Sequence, residues 1–111
     1  MRLRVRSLFF AGFLSIVAGS AYAEEPVYTI TLESHHFSPE ELKIPAGQKV
    51  KLLIRNNDAT PEEFESYDLK REKVVRGKGQ ITVYVGPLKP GVYKYFGDFN
   101  LKTAQGSIVA E

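Results

Sequence analysis

The chain has 111 residues, with 15 Lys and Arg against 13 Asp and Glu, two histidines and no cysteine. That length accommodates one small domain but not two. The missing cysteine excludes a disulfide framework and any thiolate-bound metal, so stability must come from a packed core, a bound cation or a partner.

The first 23 residues read as a cleaved secretory signal peptide. Arg2, Arg4 and Arg6 form a basic n-region, Leu8 to Ala18 an apolar h-region, and Ala21-Tyr22-Ala23 an A-x-A cleavage site. The apolar run is about 11 residues, against the roughly 20 a membrane-spanning helix needs. Cleavage would leave a domain over residues 24–111, exported and periplasmic. The formal charge of +2 belongs largely to the leader. Three basic and no acidic residues leave with it, so the domain carries −1. A balance this close to neutral gives no reason to expect nucleic acid as a partner. Met1 is the sole methionine, so no thioether remains after cleavage.

The rest of the chain reads as strands separated by Gly/Pro turns. YTITL, Tyr28 to Leu32, alternates with Tyr28, Ile30 and Leu32 on one face. Pro45 to Gly47 is a turn before the apolar run Val50 to Asn56, and NNDATP is a loop. EEFESYDL resumes as a strand, Gly77 and Gly79 mark a turn, and Ile81, Val83 and Val85 share a face of ITVYVG. GPLKPG is a further turn, with VYKYF and GSIVA as the closing strands. Nothing sustains a 3.6-residue period. This spacing predicts an all-β sandwich or barrel of about seven strands.

The densest chemistry lies in NNDATPEEFES, Asn56 to Ser66, where Glu62, Glu63 and Glu65 surround Phe64. Clustered glutamates form strands poorly and repel one another, a cost that a hard cation bound by carboxylate oxygens would offset. The alternative is a half-buried strand with two of the three glutamates in solvent. Lys70, Arg71, Lys73, Arg76 and Lys78 follow as a basic run, either a solvated face or a patch for an acidic partner or an anionic membrane. No Ser/His/Asp set, phosphate loop or zinc-type spacing occurs.

Two stretches, HFSPEELKIPAGQKVKLLIRNND and PGVYKYFGDFNLKTAQGSIVAE, together resemble the cupredoxins. The resemblance implies a Greek-key β-sandwich. It also locates four departures from a blue-copper site: Glu62 at the first His ligand, Gly97 at the Cys, Asn100 at the second His, and Ala104 or Gln105 at the axial Met. With no thiolate, type 1 copper is excluded. The PEEFES motif, the downstream Glu72-Lys73 and the FGDFN…TAQG tail are similar to the periplasmic cupredoxin-like components associated with ferrous-iron permeases.

That narrower resemblance implies iron(II) or copper(II) held by Glu62, Glu63 and Glu65 with the Asp98-to-Asn100 loop. Its implied partner is an inner-membrane iron permease or an associated periplasmic protein. His35 shares the period-2 phase of Phe37, which the F-x-P match makes buried, so it is either a ligand beside the metal loop or a buried, hydrogen-bonded histidine. His36 faces the other way and is a weaker ligand candidate. Asp98 and Asn100 supply oxygen ligands, outer hydrogen bonds, or only an ordinary loop. Three functions follow: metal capture for an iron permease, oxidation of ferrous iron, or an adaptor domain whose metal site is lost.

Overall fold

The computed structural model describes residues 25–111; the expected leader lies outside them. Among the described residues there are nine strands and no helix. They are β1 (Val27–Glu33), β2 (His36–Ser38), β3 (Glu41–Ile44), β4 (Val50–Asn56), β5 (Glu62–Ser66), β6 (Arg71–Val75), β7 (Gln80–Val85), β8 (Gly91–Gly97) and β9 (Gln105–Ala110). One sheet runs β2-β1-β4-β7 and the other β3-β9-β8-β5-β6, with β1–β4 and β3–β9 parallel and the other pairs antiparallel. The chain changes sheet between β2 and β3 and again between β3 and β4, so the parallel pairs form across long-range crossings.

Alternation accounts for the core. Ile30 and Leu32 of β1, the odd positions of β4 counted from Val50, Val83 and Val85 of β7, and Ile108 and Ala110 of β9 all point between the sheets. Three aromatics fill the middle: Phe37 lies edge-on to Phe64 and Tyr95, with ring centroids 6.3 and 5.1 Å away. Gly47 closes the turn before β4 with φ of +78°, a left-handed conformation a side chain would strain.

The structure has nine strands where seven were expected. HFSPEELKI divides at Pro39 into β2 and β3, which join different sheets, and no period-2 pattern reveals a change of partner. β6 falls in the charge-rich run. It is an edge strand burying only Val75, so its sequence lacks the apolar alternation of a two-sided strand. His35 also departs from expectation. β1 ends at Glu33, and Ser34 and His35 form a turn with φ of 51° and 62°. His35 therefore does not share the buried face of Phe37; its side chain is 40 % exposed. Tyr67 lies outside the core at 74 % exposure, its ring tilted 60° to that of Phe96 with 5.3 Å between centroids.

Phe64→Ala would leave a cavity among the central aromatics and is expected to cost about 3–5 kcal/mol in denaturant unfolding. Val92→Ala, on the solvent side of β8 at 59 % exposure, should stay within about 0.5 kcal/mol.

Candidate functional site

The acidic motif lies on β5, and strand alternation splits it. Glu62, Phe64 and Ser66 point inward, while Glu63 and Glu65 point out of the five-stranded sheet. The three glutamates of the motif therefore serve two different environments.

Glu62 is the inner one, 1 % exposed. Its Oε2 accepts from the backbone N–H of Phe99 at 2.7 Å and of Glu63 at 3.2 Å, and its Oε1 accepts from Asn100 Nδ2 at 2.7 Å. Asn100 Oδ1 lies 2.9 Å from His35 Nδ1. Beyond His35, the Asp58 carboxylate accepts from Ser34 N at 2.7 Å and His35 N at 3.0 Å, holding the left-handed turn. Asp58 is itself held through its own N–H, which donates to Asn56 Oδ1 at 2.9 Å, and Asn56 is buried. One polar chain thus links β5, the loop after β8, the β1–β2 turn and the loop after β4.

Glu63 and Glu65 form a separate group with Glu72 of β6. Oxygens of all three lie within 4.8 Å of one another, because the β5–β6 register sets Glu65 directly opposite Glu72. Desolvation, then the Glu72 hydrogen bond and charge, and then Glu65 and Asp98, raise Glu63 to about 7. Desolvation, followed by Glu72 and Asp98, also raises Glu65. Asp98 is tied to this region by its N–H, which donates to Glu63 O at 2.9 Å. Among the described residues, no lysine or arginine forms an ion pair with these carboxylates.

The structure thus brings Glu62, Asn100 and His35 into one network and Glu63 and Glu65 into another, with Asp98 at the edge of the second. His36 is exposed on β2 and joins neither. Sequence reasoning did not select Glu72 or Asp58 as site residues. Glu72 belongs to the motif that carries the resemblance, but its place opposite Glu65 becomes visible only when β5 and β6 are paired around the Tyr67–Lys70 turn. Asp58 has no signal of its own, since its role depends on a turn 23 residues earlier in the chain.

A model of the cupredoxin-like domain matches residues 6–110. The chain belongs to the cupredoxin-like domain family. It is 49 % identical over 80 residues to an uncharacterized protein of Rickettsia prowazekii (strain Madrid E), covering 72 % of this chain and 64 % of that relative's length. Auracyanin A, a "blue" copper protein from Chloroflexus aurantiacus, aligns with a TM-score of 0.67 at 17 % identity, over 79 % of this chain and 100 % of that one. A purple cupredoxin from Nitrosopumilus maritimus aligns with 0.58 at 20 %, over 76 % and 99 %. At these identities the two structures establish the shared sandwich.

The residues at the resemblance-implied copper positions of this cupredoxin-like chain do not fit type 1 copper. No cysteine exists in the sequence to supply the thiolate. Its place is Gly97, where a Cβ would come within 2.6 Å of Glu62 Cδ and 2.7 Å of Ala104 Cβ. The Glu62 carboxylate and Ala104 fill the space beside the backbone, and protein N–H groups already satisfy that carboxylate.

The outer cluster gives a pH dependence. Glu63 has an ordinary value of 4.5 and about 7 in the fold. The unfolded chain gives up this proton first, so Glu63 weakens the fold progressively as pH rises from about 4.5 to about 7. In the metal-free protein, melting temperature should fall across that window, and Glu63→Gln should flatten the fall and raise the melting temperature at pH 7.5. Thermal melts followed by circular dichroism check this.

Proposed function

We propose that this is an exported cupredoxin-like protein that captures a divalent metal, iron(II) in the first instance, on the outer face of its five-stranded sheet. It passes the ion to an inner-membrane iron permease or an associated periplasmic protein. The observation that carries the reading is the convergence of Glu63, Glu65 and Glu72, with which no lysine or arginine forms an ion pair among the described residues. A divalent cation would relieve their mutual repulsion. An all-oxygen donor set suits hard or borderline ions such as iron(II) and manganese(II), and disfavours copper(I). Asp98, on the loop beside the cluster, is a further oxygen donor. An open position on a sheet face favours exchange over permanent storage, as a capture protein needs. The iron-uptake role rests on the resemblance of PEEFES and the FGDFN…TAQG tail to permease-associated components, and export rests on the leader motif.

The adaptor reading is favoured by one observation. Exposed Tyr67 packs on half-buried Phe96, which pairs with Glu65 across the sheet, and an acidic patch with an aromatic at its rim is also a docking surface. Anaerobic calorimetry with iron(II), repeated with manganese(II), separates the two. Capture predicts one saturable site that weakens at least tenfold in Glu65→Ala and Glu72→Ala and is unchanged in His36→Ala. Saturable binding that ignores the cluster substitutions would move the site, and no binding would leave the docking surface.

A further inference from the structure

The inner network fixes a detail of His35 that goes beyond the outer carboxylate cluster and does not depend on it. The Asn100 side chain turns its NH₂ toward Glu62, donating from Nδ2 to Oε1 at 2.7 Å. Its carbonyl oxygen then faces His35 Nδ1 at 2.9 Å and can only accept. His35 Nδ1 must therefore carry the proton, and the neutral imidazole keeps its lone pair on Nε2. A ligating histidine is commonly oriented this way, with its second ring nitrogen donating to a fixed oxygen.

Nε2 lies 3.9 Å from Asp58 Oδ2, too far for a hydrogen bond. Asp58 Oδ2 already accepts one bond, from His35 N, and retains acceptor capacity. The Asp58 side chain is 15 % exposed, and His35 borders an open cleft of about 570 Å³ with Ser34, Asn100, Leu101, Lys102 and Thr103. The left-handed turn at Ser34 and His35, pinned by both Asp58 oxygens, aims the ring at this spot.

We propose that His35 Nε2 and Asp58 Oδ2 form a nitrogen–oxygen site for a borderline divalent transition metal of the zinc class, completed by water from the cleft. Bond lengths near 2.1 Å at a tetrahedral angle set such a pair about 3.4 Å apart, so the two groups need to close by only ~0.5 Å. Imidazole with carboxylate suits zinc(II), nickel(II) and copper(II), and the buried Glu62 acts here as a positioning residue through Asn100.

Zinc(II) is the probe, titrated into the ¹⁵N-histidine-labelled protein and followed by long-range ¹H–¹⁵N NMR of the imidazoles. The expected result is a His35 ring protonated on Nδ1 without metal. Its Nε2 resonance then shifts saturably with zinc(II), while His36 does not follow the same curve. Asp58→Asn, which keeps one of the two oxygens that accept from the turn, should weaken the response at least tenfold. Asn100→Leu should release the tautomer and weaken binding. His35→Gln keeps the backbone bonds to Asp58 and should abolish the corresponding calorimetric signal. A combined Glu63→Ala, Glu65→Ala, Glu72→Ala variant should leave the His35 response intact, which keeps this site distinguishable from the outer cluster. A His35 ring protonated on Nε2, a zinc(II) response carried by His36, or Asp58→Asn binding as tightly as the parent would each overturn the proposal.

Discussion

The buried carboxylate of Glu62 is the interaction on which this end of the sandwich depends. It accepts from two backbone N–H groups and from Asn100, and so ties β5 to the loop between β8 and β9. An unpaired buried carboxylate is costly, and three donors offset that cost only if the loop keeps one conformation. That conformation sets Asn100, which sets the imidazole of His35. Gly97 is the residue that leaves room for this carboxylate and its hydrogen bonds, since a Cβ there would come within 2.6 Å of Glu62 Cδ.

The alternation of β5 produces the second feature. A strand cannot present adjacent residues to the same face, so the motif that contributes Glu62 to the interior sends Glu63 and Glu65 outward. Pairing with β6 then brings Glu72 against them. Glu63 and Glu65 are shifted upward by desolvation first and then by the carboxylates crowded beside them. The two features are neighbours, since Asp98 N–H donates to Glu63 O one residue before Phe99 donates to Glu62. The loop is therefore shared by the interior network and the exterior cluster, although their donor sets differ in chemistry.

Most of the architecture was legible in the sequence, for a physical reason. Tyr28, Ile30 and Leu32, the Val50–Asn56 run and Ile81, Val83 and Val85 alternate because each strand has one face in the core, and that alternation survives into the fold. The division of HFSPEELKI and the edge strand β6 were not legible. A strand that changes sheets keeps its local pattern, and an edge strand with one buried residue has none. His35 was assigned to the wrong face because strand phase was carried through Ser34 and His35, where the backbone turns left-handed.

By itself, the sequence determined the all-β class, the absence of any thiolate site, and an acidic motif beside an aromatic core residue. These depend on composition and on periodicity within single segments. Only the tertiary structure decided which carboxylates work together. Glu65 meets Glu72 through strand register, Glu62 meets Asn100 across 38 residues, and His35 meets Asp58 across 23. Such partnerships are set by where sheets and loops converge in space, and a linear chain does not encode that convergence at any one position.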